Sequence, residues 1–423
     1  MKKNTRDSII VGFALFSMFF GAGNLIFPGF LGNTIGDQYI LGIIGFTITG
    51  VGLPLLAIIA CSKGDGTFKT LSSKIGNKFS VIFTAILFIT IGPMLAIPRT
   101  AATTFELTVN PFFPEVTPFI AMAIYFAINL FFVLRKTSII DTIGKFLTPA
   151  LIALLVILIV KGLVMPIGAI TETNAINVFS TSLLEGYQTM DAIAALLFAG
   201  VITTSLKTKG YKDKEMPKMI LKSSLVAVIG LAFVYGGLTY IGAQTTELTT
   251  GEIGKTGLLL LISRNVLGSV GPALIGIAMC LACLTTSIGL LSAGSSFFEK
   301  ISNGRLPFKI NAIVISIVSL LLATLGVDKI VVLSAPVLNI LYPVCITLIL
   351  TTLMSKFLTN IRAVRVGVYT SLFFGILFAI PGINLNFIPL ADLGFGWLIP
   401  TIISIALGHV IFRDVKEENS VAN

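Results

Sequence analysis

Few side chains in this 423-residue sequence could do polar chemistry in the middle of apolar surroundings, and they fall into four groups. Gly21, Ala22, Gly23 and Asn24 interrupt the apolar run 8–30, SIIVGFALFSMFFGAGNLIFPGF, ahead of Pro28. Gly186, Gln188, Thr189 and Asp191 interrupt a second run, 177–205. Thr285, Thr286 and Ser287 lie together in CLTTSIGL, and Arg99 ends the proline-bent GPMLAIPR. In an apolar solvent every backbone N–H and C=O needs a partner, so a broken helix persists only where protein, water or a ligand supplies one. The free half-helix ends offer N–H groups to an anion and carbonyls to a cation. Glycine also lets a ligand approach the main chain, although small residues serve close helix packing equally well. Two hydroxyls beside such carbonyls would make a neutral oxygen cage for a hard, singly charged cation, while hydroxyls bonded back to their own helix turn would be structural.

Asp191 is the costliest of these residues, at about 2.5–3.5 kcal/mol for a carboxylate at the centre of a spanning helix. Two roles offset that cost. The side chain caps a second half-helix beginning at Ala192, or it contacts a ligand directly, and both require a break. Arg99, about a turn from the end of its segment, is expected to snorkel to the interface. Residues for enzyme chemistry are missing: the sole histidine, His409, is in the last segment. Cys280 and Cys283 form a CxxC without further ligands in an apolar run, where thiols behave as small hydrophobes, as Cys61 and Cys345 do. No GxxxxGK[ST] is present, nor the charged rings of a channel.

The elements that position these residues are set by composition. With 55% hydrophobic and 11% charged residues, the chain cannot cover a soluble surface. At about 20 apolar residues per crossing, twelve spans are expected, near 8–30, 39–61, 79–104, 117–135, 141–163, 178–206, 219–244, 270–298, 309–326, 330–354, 364–380 and 392–412. The net charge of +10 is distributed to match. With the N-terminus inside, 24 of the 29 basic residues fall in inside segments, and Arg99, Lys161, Lys255, Arg264 and Lys329 fall outside. Both termini are therefore expected in the cytoplasm. The basic loop KTKGYKDKEMPK carries this orientation signal and needs no nucleic acid partner. Lys2, Lys3 and Arg6 precede a run too long for a signal peptide, so it is read as the first span. Gly257 to Leu261 is too short to cross and reads as part of an outer helix over the bundle, a lid or an amphipathic surface helix. The tail 413–423 is polar.

Span six corresponds to span one if each repeat has five crossings, and an odd number inverts the second repeat. Two Gly-interrupted spans at matching positions of two halves point to a transporter binding site. One transmembrane domain is expected, with repeats over about 8–163 and 178–354 and peripheral helices over 364–412.

FFGAGNLIFP, GPMLAIPRTA, GYQTMDAIAAL and CLTTSIGL, in that order along essentially the whole chain, resemble the bacterial branched-chain amino acid:cation symporters, the BrnQ-type carriers. The resemblance implies an all-α, LeuT-like 5+5 inverted repeat with discontinuous helices one and six and two peripheral helices. It implies sodium-driven import of leucine, isoleucine and valine across the bacterial plasma membrane, with sodium as coupling ion and no other cofactor or protein partner. Carried over, Gly21, Ala22, Gly23 and Asn24 would hold the substrate carboxylate, and Tyr187, Gln188, Thr189 and Asp191 would face its amine and side chain. Sodium would lie between carbonyls near Ser17 and Phe20 and hydroxyls of span eight, either Thr285 with Thr286 or Thr286 with Ser287. A second sodium near Asn24 is also implied. The alternatives are proton coupling through Asp191, or another neutral solute. A zwitterion needs few fixed intramembrane charges, and Asp191 is the one expected at mid-membrane.

Overall fold

An apolar chain that must satisfy its own backbone becomes a bundle of helices. The computed structural model describes residues 3–135, 139–212, 215–249, 251, 253–383 and 385–412. The tail 413–423 lies outside them, as do Lys2, Lys136, Lys214, Arg413 and Lys416 of the charge pattern.

Span one is two helices, α1 (Lys3–Phe19) and α2 (Ala22–Ile35), and span two follows as α3 (Tyr39–Thr47) and α4 (Leu53–Ser62), joined by a π-helical turn. After the short α5 (Lys69–Ser72), span three consists of α6 (Asn77–Ile89) and α7 (Ala96–Thr104). They meet at a kink where Gly92 leaves helical geometry and Pro93 withholds a donor. Pro98, expected to add to the bend, falls in the first turn of α7, where its missing N–H costs nothing. Spans four and five are α8 (Pro118–Arg135) and α9 (Ile139–Val164).

Span six is again broken, into α10 (Val178–Tyr187) and α11 (Asp191–Thr208). Span seven is α12 (Met216–Ala243), the expected non-crossing helix is α13 (Lys255–Leu267), and span eight is α14 (Gly271–Ile301). Spans nine to twelve are α15 (Phe308–Ala323), α16 (Val327–Leu353), α17 (Ile361–Ala379) and α18 (Leu398–Ile411). Among the described residues, eight helical segments are long and apolar enough to cross a membrane. One of these, Ala22–Ser62, joins the second half of span one to span two, and spans five, nine and twelve are shorter apolar helices. Ile40, Ile82, Phe119, Ile229, Ile317 and Ile402 stand exposed on the rim, a surface that only lipid tolerates at this extent.

The packing follows the two repeats. Both halves of span one lie along α12, and the halves of span six lie along α3 and α4. Each broken helix therefore rests on the second helix of the other half. The peripheral α17 and α18 pack on each other, with α17 also against α16. Glycine permits the closest of these approaches. A Cβ on Gly32 would strike the Thr239 carbonyl, and one on Gly186 would strike the Thr49 side chain.

The helix ends gather in two sets. Lys209 pairs with Asp7 at 3.9 Å and Lys63 donates to the Leu353 carbonyl at 2.7 Å, while at the other end Lys255 pairs with Asp328 at 3.7 Å. The first set joins segments expected on the cytoplasmic side, and the second joins segments expected outside.

Candidate functional site

The two breaks face one cavity at the centre of the bundle. The first occupies Phe20 and Gly21. With Phe20 in the C-terminal position, the last carbonyls of α1 lack intrahelical donors, and the first N–H groups of α2 lack acceptors. Asn24 closes part of this gap by accepting the Gly21 N–H on Oδ1 at 2.8 Å. Gly21 itself is extended (φ −125°, ψ −165°), so its backbone does not require glycine. What glycine provides is room, because a Cβ there would lie 3.6–3.7 Å from Thr286, in ordinary contact and directed into the cavity.

The second break spans Gln188 to Met190, with Met190 in the left-handed region at φ +61°. An unbranched side chain tolerates that conformation poorly, so the surroundings must impose it. They do so through the carbonyls. Tyr342 donates to the Tyr187 carbonyl at 3.0 Å, and Arg99 Nη1 donates to the Gln188 carbonyl at 2.7 Å. Ser334 donates to the Gln188 side chain at 2.6 Å.

Asp191 connects the two breaks. Helix α11 begins at Asp191 rather than Ala192, and its first N–H, that of Asp191, goes to the Thr189 hydroxyl at 3.3 Å, so the capping role expected from the sequence is not what this carboxylate does. Instead Oδ2 accepts from Asn24 Nδ2 and from the Tyr235 hydroxyl, each at 2.7 Å, and Asn24 and Tyr235 also touch each other. Spans one, six and seven are tied by one buried carboxylate, 2% exposed. Its place in the first turn of α11 also sets negative charge at the positive end of a helix.

Arg99 corrects a second expectation. It does not snorkel: it is 3% exposed, and its guanidinium lies 5.1 Å from the centre of the Phe27 ring. Span three turns at its kink and brings Arg99 between the breaks. The sequence signal was present, since GPMLAIPR places a cation just beyond a glycine and two prolines, but the direction of the side chain was not.

Of the residues expected at the site, Gly21, Ala22, Gly23, Asn24, Thr189, Asp191 and Thr286 line the cavity together. Tyr187 and Gln188 do not: Tyr187 stacks on Tyr342 with ring centroids 3.9 Å apart, and Gln188 faces Ser334. Within CLTTSIGL the three hydroxyls part ways. Thr285 bonds back to the Ala282 carbonyl at 2.9 Å, and Ser287 is fully buried away from the cavity. Thr286 points at the Phe20 carbonyl from 3.5 Å. Ser17 sits half-buried in the last turn of α1. Besides Arg99, the lining that sequence reasoning missed is mainly apolar, from Met18, Phe19, Ile91, Ala96, Phe198 and Leu290. The cavity is narrow, with a volume of about 30 Å³, so an amino acid enters only when the walls move.

An all-helical bundle with two discontinuous spans meeting at one central cavity is the LeuT-like fold. Solved structures agree. The inward-facing conformation of Mhp1 superimposes with a TM-score of 0.64 at 14% identity, covering 96% of this chain and 90% of that one. MhsT in complex with L-phenylalanine gives a TM-score of 0.55 at 17% identity, covering 95% and 98%. The family is given by sequence: the profile described as "Branched-chain amino acid transport protein" matches residues 4–415. The branched-chain amino acid permease BraB of Bacillus subtilis is 35% identical, covering 96% of this chain and 95% of its own. A putative branched-chain amino acid carrier protein of Staphylococcus haemolyticus is 36% identical over 100% and 99%. The chain belongs to this family of branched-chain amino acid transport proteins, and it is a carrier rather than an enzyme.

Proposed function

We propose that the protein imports leucine, isoleucine and valine across the bacterial plasma membrane by sodium symport, with both termini cytoplasmic, as one transmembrane domain whose repeats run over about 8–163 and 178–354. The observation that carries this reading is the pair of helix breaks on one cavity, which brings the N-terminal end of α2 and the C-terminal end of α1 to the same space. The amino-acid carboxylate takes the N–H groups of Ala22 and Gly23 at the GAGN break, and the ammonium takes the Thr189–Asp191 side. The aliphatic side chain lies against Ile91, Phe198 and Leu290, and such apolar contacts separate ligands differing by one methylene by only about 1–3 kcal/mol.

Sodium lies at the end of α1, between the carbonyls of Ser17 and Phe20 and the Thr286 hydroxyl. Hard cations favour such oxygens, and each oxygen here is neutral. The same ion orders the break that receives the carboxylate, so cation and substrate favour each other's binding. Alternating access then moves the broken helices against the scaffold.

The test is labelled-leucine uptake into proteoliposomes under an imposed sodium gradient or, separately, a proton gradient. Sodium-driven uptake blocked by isoleucine and valine but not by lysine is expected. Uptake driven by protons alone would replace the sodium assignment with one centred on Asp191.

A further inference from the structure

The guanidinium of Arg99 is buried between the two helix breaks with no carboxylate of a described residue in ion-pair contact, and the charge of Asp191 reaches it only from farther away. Among the described residues the ion pairs are Lys209–Asp7 and Lys255–Asp328, and neither reaches it. Nη1 is used by the Gln188 carbonyl, whereas Nε is buried with no hydrogen-bond partner. A buried cation that keeps an unpaired donor is costly unless an anion joins it. The cavity is where that anion would sit, since Arg99, Gly23 and Asp191 all line it.

We propose that Arg99 is the carboxylate receptor of the transport site, and that it and Asp191 form a fixed pair of opposite charges matched to the two ends of an α-amino acid. This rests on the amino-acid reading above and makes it more specific: a side chain, in addition to the N-terminus of α2, selects the carboxylate. The geometry supports the assignment from two sides. A Cβ on Gly23 would come within 2.9 Å of Arg99 Nη2, so glycine is what lets the guanidinium lie against the first turn of α2. The N–H groups of Ala22 and Gly23 and the Nη2 side of the guanidinium therefore lie beside each other at the cavity wall. A guanidinium presents its donors in a planar fork that fits a carboxylate, which an ammonium cannot reproduce. Asp191, held through Oδ2 by Asn24 and Tyr235, lines the same cavity and offers its carboxylate to the ammonium. Arg99 also props the second break through Gln188, so substrate binding and the shape of span six are linked through one residue.

The test is equilibrium binding of L-leucine and of leucinamide to the purified full-length protein. Leucinamide keeps the ammonium and the side chain but replaces the carboxylate with a neutral amide. Wild-type protein is expected to prefer leucine, and Arg99→Gln to lose about 10- to 100-fold in leucine affinity, the range of a hydrogen bond to a charged group. Its affinity for leucinamide should move by less than about threefold, because the lost partner is missing from that ligand. Arg99→Lys keeps the charge without the fork and should fall between for leucine alone, so it carries the test if Arg99→Gln does not fold. Equal losses for both ligands would leave Arg99 a prop for span six and overturn the proposal, as would a wild type that does not distinguish the two. Folded wild-type protein that binds none of leucine, isoleucine and valine would overturn the substrate reading itself, an outcome distinct from leucine binding that is indifferent to Arg99.

Discussion

The two helix breaks solve one problem with different means. The first, at Phe20 and Gly21, is built from small residues and satisfies itself through Asn24, a neighbour three residues along. The second, at Gln188 to Met190, is held from outside by Arg99, Tyr342 and Ser334, on spans three and ten, and keeps Met190 in a left-handed conformation. A self-satisfied break with spare carbonyls and open space suits ligands that come and go. A break clamped by three distant side chains suits a wall that must keep its shape. Asp191 joins them, so neither can move without the other sensing it.

This contrast can be broken most severely at Asp191. Asp191→Ala strands the Asn24 amide and the Tyr235 hydroxyl, at about 1–3 kcal/mol for each unsatisfied group. Leucine uptake is expected to vanish, and the thermal midpoint in detergent to fall clearly. A midpoint equal to wild type would deny Asp191 its role as the tie. Next is Gly186→Val, which drives a branched side chain into Thr49 and Gly50 and should destabilise by about 1–3 kcal/mol through overpacking. Retained thermal stability would mean that span six does not need its close seat on span two.

Subtler changes sharpen the comparison. Met190→Gly should raise the midpoint, since glycine removes a left-handed cost of roughly 1–2 kcal/mol. Unchanged or lower stability would show that Met190 packing outweighs its backbone. Thr286→Ala is expected to raise the sodium concentration for half-maximal uptake about tenfold, an effect of about 1.4 kcal/mol, with little change in expression. An unaltered sodium response would remove Thr286 from the cation site. Gly21→Ala, whose Cβ meets nothing closer than 3.6 Å, should leave stability within about 0.5 kcal/mol while weakening leucine binding. Intact leucine binding in that variant would place the ligand elsewhere.

The sequence by itself determined much of this. A chain with so few charges must bury its helices in lipid, so the spans follow from runs of about 20 apolar residues. The breaks follow from polar and glycine residues where an unbroken helix has no use for them, which is why GAGN and the stretch from Gly186 to Asp191 were legible. Asp191 could be recognised as needing a partner, but not which one, because Asn24 is 167 residues away and Tyr235 is 44. The tertiary structure alone decided the rest. Thr285, Thr286 and Ser287 are consecutive, and successive helix positions point about 100° apart, so only the crossing of α14 over the break at Phe20 selects Thr286. Tyr187 turned to stack on Tyr342 because span ten passes there. Arg99 turned inward because the kink at Gly92 and the open carbonyl of Gln188 gave its charge a better place than the interface did. Local sequence sets where a polar group sits along a helix, whereas its direction and partner depend on which distant helix packs against it.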